Sequence, residues 1–73
     1  MMASERIEYL NILCKKLTEF YHLSEDEARE AVWNSATEKM MHDDGAADWQ
    51  MHQPLMFTVE QIFCEYNHME VPI

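Results

Sequence analysis

Histidine and methionine are neighbours at three places in the sequence, and this pattern comes closest to a chemical site. The three pairs are Met41 with His42, Met51 with His52, and His68 with Met69. A thioether beside an imidazole can bind Cu(I), and Cys14 and Cys64 add soft sulfur ligands. Methionine also fills irregular cores and contact surfaces, which explains the pairs without a metal. We therefore expect no metal site and no cofactor, with soft-metal (copper) binding as a minor alternative.

The spacing Glu-x-x-His occurs twice, in Glu19 with His22 and in Glu65 with His68. In di-iron helical bundles this spacing puts a carboxylate and an imidazole on one helix face, and two such helices are needed. Here both pairs lie away from the apolar face of their predicted helices, so they would not meet inside a bundle. The sequence therefore does not favour a di-iron site.

Neither cysteine has the surroundings of a catalytic nucleophile. Cys14 falls within an apolar stripe, where a thiol usually packs as a small hydrophobic side chain. Cys64 precedes Glu65, and a neighbouring negative charge disfavours the thiolate that a nucleophile needs. The sequence contains no glycine-rich phosphate loop and no nucleophile elbow. We expect no catalytic residue and predict that the protein is not an enzyme.

Negative charge is concentrated after the first predicted helix. The 73 residues include 14 acidic and 5 basic ones, which gives a net charge of −9 at pH 7. Residues 1–22 are neutral overall, residues 23–48 carry −6, and residues 49–73 carry −3. Direct contact with nucleic acid is not expected, because phosphate groups need a basic stripe. An acidic surface can instead steer association with a basic protein.

We therefore predict a non-enzymatic interaction module, a regulator or inhibitor that binds a basic protein partner. Antitoxin-like proteins and inhibitors of nucleic-acid enzymes are the classes that such a surface suggests. The predicted partner-binding residues are four acidic side chains and both tryptophans: Glu25, Glu27, Glu30, Asp44, Trp33 and Trp49. The alternative is a structural or accessory homodimer whose acidic surface is merely solvated.

The start of the second helix is the strongest local signal. Ser24 and Glu27 have the spacing of a capping box, in which each side chain accepts a hydrogen bond from the other residue's backbone N–H. Glu25 and Arg29 are spaced for an i,i+4 ion pair. The following acidic pair at residues 43–44 would oppose the dipole at a helix C-terminus, so this helix should end before it. The only glycine, Gly45, is then expected to close the turn in the left-handed conformation.

The composition and periodicity predict an all-α fold, a small three-helix domain with an irregular segment around Trp49. A single glycine and two prolines disfavour an all-β fold, which needs frequent turns. The helices are expected near 5–21, with Ser4 as N-cap, near 25–41 and near 58–67. We prefer Thr58 as the N-cap of the last helix, with a start at Pro54 as the alternative. Residues 46–57 form either a loop or one helical turn.

The apolar stripes of the three helices predict the core. Its expected members are Ile7, Leu10, Leu13, Cys14, Leu17, Phe20, Ala28, Val32, Ala36, Met40, Val59, Ile62, Phe63 and Tyr66. A domain of this size buries only about 60% of its unfolded surface, and no disulfide framework or zinc spacing supports it. A second subunit is the expected support, so we predict a homodimer. Tyr9 and Ile12 flank the apolar stripe of the first helix and are either ordinary surface residues or the rim of this contact.

The sequence is expected to contain neither a signal peptide nor a membrane span. The start MMASER has no apolar signal-peptide core, and no apolar run approaches about 18 residues. We therefore expect a cytoplasmic protein with reduced thiols and no membrane contact. The tail at residues 68–73 is expected to fray.

Overall fold

The computed structural model describes residues 4–70, with the backbone alone for residues 68–70. Within this range the chain forms five α-helices and no strand, which confirms the predicted all-α class. The helices are α1 (Ser4–Tyr21), α2 (Glu25–Trp33), α3 (Ala36–Met40), α4 (Asp44–Met51) and α5 (Leu55–Glu70). The predicted count of three helices is therefore wrong. None of these described helices has the length and hydropathy needed to cross a membrane.

The predicted helix over 25–41 is broken at Asn34 and Ser35. The side-chain amide of Asn34 donates a 2.8 Å hydrogen bond to the carbonyl of Glu30. Ser35 is the N-cap of α3, and its Oγ accepts from the N–H of Glu38 at 3.3 Å. Asparagine and serine compete with the helix for backbone partners, which favours a break at these positions. A Ser-x-x-Glu spacing marks this second start as it marks the first.

The predicted irregular segment around Trp49 contains helix α4. Asp43 is the N-cap of this helix, and its carboxylate accepts from the N–H of Ala46 at 3.1 Å. Asp44 lies in the first turn, where the positive end of the helix dipole stabilises a carboxylate. Gly45 belongs to the same turn and has no positive φ, so the expected left-handed conformation is wrong. The preceding helix α3 ends at Met40, before the acidic pair as predicted, and the acidic pair itself begins α4.

Helix α5 begins at Leu55, so the preferred start at an N-cap Thr58 is wrong. Thr58 is fully buried within the helix, and its N–H donates to the carbonyl of Pro54 at 3.3 Å. The helix continues to Glu70, beyond its expected end at residue 67. The rest of the predicted frayed tail, residues 71–73, lies outside the described residues.

Helices α1, α2 and α5 pack around the main core, and α3 and α4 add to it. The buried apolar side chains include eight of the predicted core residues, namely Leu10, Leu13, Leu17, Ala28, Val32, Val59, Ile62 and Tyr66. Within the described side chains, three further buried apolar residues were not expected, namely Ala31, Met41 and Ala47. The predicted members Cys14 and Phe63 are half-buried against this cluster. The ring of Phe63 stacks on Tyr21, with 4.0 Å between the ring centroids.

Four predicted core residues do not belong to the buried core. Ile7 and Phe20 are 43% and 50% exposed, because they lie in the terminal turns of α1. Ala36 is exposed and Met40 is half-buried, whereas Met41 is fully buried. The break after α2 changes the helical phase, so a stripe continued from Val32 at four-residue intervals selects the wrong positions in α3.

Candidate functional site

The side of helix α2 that faces solvent carries a tryptophan among carboxylates. Ala28 and Val32 are fully buried on the opposite side of this helix. At about 100° per residue, Asp26, Glu30 and Trp33 share the solvent side. All three are exposed, and Trp33 has 39% of its surface accessible. We call these three residues the α2 outer face.

The capping box predicted at the start of α2 is present, and it fixes the helix that carries this face. The Oγ of Ser24 accepts from the N–H of Glu27 at 3.2 Å. The Glu27 carboxylate accepts in return from the N–H of Ser24 at 3.1 Å. The carboxylate of Glu27 is therefore already used by its own helix, although the sequence predicts a role for it in partner binding.

The carboxylates of the α2 outer face have no cationic partner in the part of the chain whose side chains are described. Neither Asp26 nor Glu30 forms an ion pair there, whereas Arg6 pairs with Asp44 and Lys16 pairs with Glu19. An unneutralised carboxylate attracts cationic groups, and the face of an exposed indole binds them by a cation–π contact. The outer face thus combines two kinds of group that recognise lysine and arginine.

The other predicted partner-binding residues lie elsewhere or are engaged. Asp44 accepts a 2.6 Å hydrogen bond from Nη2 of Arg6, whose Nη1 donates to the Met41 carbonyl at 2.9 Å. Trp49 is 59% exposed on α4. The six predicted residues are thus divided between α2 and α4, and Glu30 with Trp33 is the pair that shares one free surface. Their role in binding stays a prediction.

The remaining predicted residue, Glu25, lines a groove between α1 and α2. The groove has a volume of about 340 Å³. Its lining consists of a polar strip of α1 and two charged residues of α2: Asn11, Cys14, Lys15, Thr18, Glu25 and Arg29. The expected ion pair between Glu25 and Arg29 does not form in the part of the chain that the structure describes. We call this feature the α1–α2 groove.

Cys14 is the half-buried thiol of the α1–α2 groove. Its Sγ lies 3.8 Å from the carbonyl of Ala28, to which the thiol donates a weak hydrogen bond. Burial raises the pKa of the Cys14 thiol above its ordinary value, and the nearby positive charge of Arg29 opposes this effect without cancelling it. Cys14 is therefore a protonated thiol at neutral pH, which agrees with its predicted role as a packing residue.

Asn11, Lys15 and Thr18 were not predicted to act as a group. The three residues lie beside the apolar stripe of α1 at spacings of three and four, so they share one side of the helix. The periodicity of α1 could have shown this strip. The two residues of α2 that complete the groove depend on how the helices pack.

The methionine–histidine pairs are separated by their own helices. Met41 is fully buried, whereas the imidazole of His42 is exposed and its Nε2 lies 2.5 Å from Oε2 of Glu38. Met51 is half-buried and His52 is exposed. The third pair lies outside the described side chains. Within those side chains no group of three or more His, Cys, Asp or Glu residues could hold a metal ion.

The fold and these surfaces define a small acidic all-α domain with an exposed indole and a polar interhelical groove. Comparisons of the chain with protein-family models, with curated proteins and with solved structures find no match.

Proposed function

We propose that this chain is a non-enzymatic interaction module, a regulator or inhibitor that binds a basic protein partner in the cytoplasm. The observation that supports the proposal best is the α2 outer face, where exposed Trp33 lies beside the unpaired carboxylates of Asp26 and Glu30. This face replaces the wider set of acidic residues predicted from the sequence. Its partner would present lysine or arginine side chains.

The chemistry of the face suits arginine in particular. A guanidinium can stack on the indole of Trp33 while its N–H groups donate to Glu30, whose carboxylate is one turn away. A cation over an aromatic ring contributes about 0.5–1 kcal/mol at an exposed site and about 2 kcal/mol when water is excluded. The molecule already contains one such contact, since Nζ of Lys16 lies 5.6 Å from the ring centroid of Phe20.

The net charge of −9 adds long-range attraction to these short-range contacts. An acidic surface raises the rate at which a basic protein is encountered, and this effect falls as salt increases. A basic partner that uses its positive groove for nucleic acid would be blocked by such a surface. Inhibition of a nucleic-acid-binding protein, or neutralisation of a basic toxin, is the form of regulation that this charge supports.

The test is affinity capture from cell lysate with two variants of the α2 outer face. Asp26→Asn with Glu30→Gln removes two charges and keeps the shapes, and Trp33→Phe keeps an aromatic ring with a weaker cation–π surface. We expect a basic protein to be captured at low salt and lost at several hundred millimolar salt, because the screening length falls to a few ångströms. Both variants should weaken its capture.

The matched control is Glu8→Gln with Glu60→Gln. These two residues are exposed, form no ion pair among the described side chains, and lie on α1 and α5. The control changes the net charge by the same amount, so it should retain the partner. Equal loss in both double variants would mean that total charge, and not the α2 outer face, drives capture. The proposal would be overturned if the amount of captured partner were unchanged at high salt and in both variants of the α2 outer face.

A structural or accessory homodimer is the second candidate, and exposed apolar side chains support it. Among the described side chains, seven large hydrophobic residues are between 39% and 59% exposed, and Ile12, Phe57 and Met56 are three of them. Two chains that each carry a net charge of −9 repel each other. Because salt screens this repulsion, association of the two copies should strengthen as salt increases. Sedimentation equilibrium at low and high salt tests this. A mass of one chain under both conditions would exclude the homodimer at the concentrations used.

A further inference from the structure

We propose that the α1–α2 groove is a binding site for a small oxyanion, a ligand with a carboxylate or phosphate group held between Lys15 and Arg29. The groove has a volume of about 340 Å³, which is at the lower end of the range for small-molecule sites. Its two α2 residues, Glu25 and Arg29, are different from those of the α2 outer face, and the proposal does not depend on the proposed protein partner.

The distribution of cations supports the assignment. Acidic residues outnumber basic ones by 14 to 5, so a basic side chain has many carboxylates with which it could pair. Arg6 and Lys16 do so. Lys15, Arg29 and Lys39 form no ion pair in the described part of the chain, and the first two of them line the same groove. Two unpaired cations that share one groove in an acidic protein leave a place for an anion.

The other lining residues give the groove a way to orient its ligand. Asn11 and Thr18 lie on the same strip of α1 as Lys15, and their amide and hydroxyl groups can donate hydrogen bonds to oxygen acceptors. Cys14 lies beside this strip, at the edge of the apolar stripe, and is half-buried. Lys15 thus supplies a compact positive charge and Arg29 a planar set of N–H donors. Asn11 and Thr18 add neutral donors on the α1 side of the groove.

Glu25 is the one lining residue that opposes an anion. Its carboxylate is four residues from Arg29 on α2, but the two side chains form no salt bridge. Repulsion between this carboxylate and the ligand reduces affinity. Neutralising Glu25 should therefore change the affinity in the opposite direction to neutralising Lys15 or Arg29. Glu25→Gln should tighten binding, whereas Lys15→Gln and Arg29→Gln should weaken it.

The experiment is a titration followed by ¹H–¹⁵N NMR, with inorganic phosphate and succinate as separate probes and chloride at matched ionic strength as reference. We expect saturable shifts of the amides around the groove. Lys15→Gln and Arg29→Gln should each weaken binding about fivefold, the upper end for one exposed charge contact. Saturation by phosphate alone or by succinate alone supports the site and identifies the kind of oxyanion.

Lys39→Gln is the matched control, because Lys39 is also an exposed cation with no ion pair to a described side chain, and it does not line the groove. It should leave the affinity unchanged within about twofold. A second readout is the alkylation rate of Cys14, which bound oxyanion should slow while exposed Cys64 is unaffected. Shifts that do not saturate, or that respond equally to Lys39→Gln, would overturn the proposal, as would alkylation of Cys14 at an unchanged rate.

Discussion

The side-chain amide of Gln50 donates a 2.7 Å hydrogen bond to the hydroxyl of Thr58, and both side chains are buried. The hydroxyl of Tyr9 lies 3.5 Å from Oγ1 of Thr58 and from the carbonyl of Gln50. The three residues join α4, α5 and α1. A buried polar group that loses its partner costs about 1–3 kcal/mol. Other positions of α4 could bury a similar apolar area, but they would break the hydrogen bond between Gln50 and Thr58. The cluster therefore favours the observed position of α4.

Thr58→Val should destabilise the fold by about 1–3 kcal/mol, because it keeps the shape of the side chain and leaves the amide of Gln50 without its acceptor. Chemical denaturation at equilibrium measures the effect. Thr58→Ser is the control, since it keeps the hydroxyl and removes one methyl group. A valine variant that is more stable than the serine variant would show that the hydrogen bond does not support α4.

Local signals in the sequence were sufficient for the parts of the fold that depend on one helix. The spacing of Leu10, Leu13 and Leu17 predicted the buried face of α1, because a helix repeats its faces every 3.6 residues. The capping box of Ser24 and Glu27 was predicted for the same reason, since its hydrogen bonds are made within a single turn. Both features are present in the structure.

Features that depend on a choice between two local states were predicted wrongly. Gly45 is compatible with the closing turn of one helix and with the first turn of the next, and the pattern alone favoured the closing turn. Thr58 has the residue type of an N-cap, but it lies buried in α5. Its hydrogen bond to Gln50 on another helix satisfies the hydroxyl there. Tertiary contacts decide such cases, and sequence periodicity does not contain them.

The candidate surfaces also include one feature that a single helix predicts and others that depend on how helices pack. Glu30 and Trp33 could be assigned to one side of α2 from their spacing of three residues. The α1–α2 groove could not be predicted, because Lys15 and Arg29 line one groove only when the two helices pack together. The engagement of Asp44 by Arg6 also joins residues that are far apart in sequence. Sequence charge alone therefore overstates how many carboxylates are free.

Ser24→Ala should lower the free energy of unfolding by about 1 kcal/mol, because the N–H of Glu27 loses its acceptor at the start of α2. The measurement is the midpoint of urea denaturation at constant slope. Ser24→Asp is the control, since aspartate is also a good N-cap and should largely retain stability. An unchanged midpoint in the alanine variant would mean that this cap contributes nothing to the fold.

Gly45→Ala should raise the free energy of unfolding by about 0.5–1 kcal/mol, because alanine restricts the unfolded chain and suits a helix. A Cβ at this position would lie 3.6 Å from Oδ1 of Asp43, which is an ordinary contact. Thermal denaturation measures the change. Asp43→Ala is the companion variant and should destabilise α4 by removing its N-cap. Destabilisation by Gly45→Ala would support the left-handed conformation that the sequence suggested.

The burial of Cys14 should make the folded protein less stable at alkaline pH. Burial raises the pKa of its thiol above the ordinary value of 9.0, so the folded protein keeps a proton that the unfolded chain has lost. The unfolded state then binds fewer protons than the folded state, and stability falls as pH rises through the ordinary pKa. The loss ends once pH exceeds the raised pKa, where both states are deprotonated.

Denaturation midpoints between pH 7.5 and about 10 measure this effect, with the same series for Cys14→Ser and Cys64→Ser. Other groups titrate in this range, so the difference between the variants isolates the thiol. The Cys14 variant should lose part of the alkaline decline, because serine does not ionise there, and the Cys64 variant should keep it. At pH 8, iodoacetamide should also modify exposed Cys64 faster than Cys14, since the thiolate is the reactive form. Equal rates and identical pH profiles would contradict the burial of Cys14 between α1 and α2.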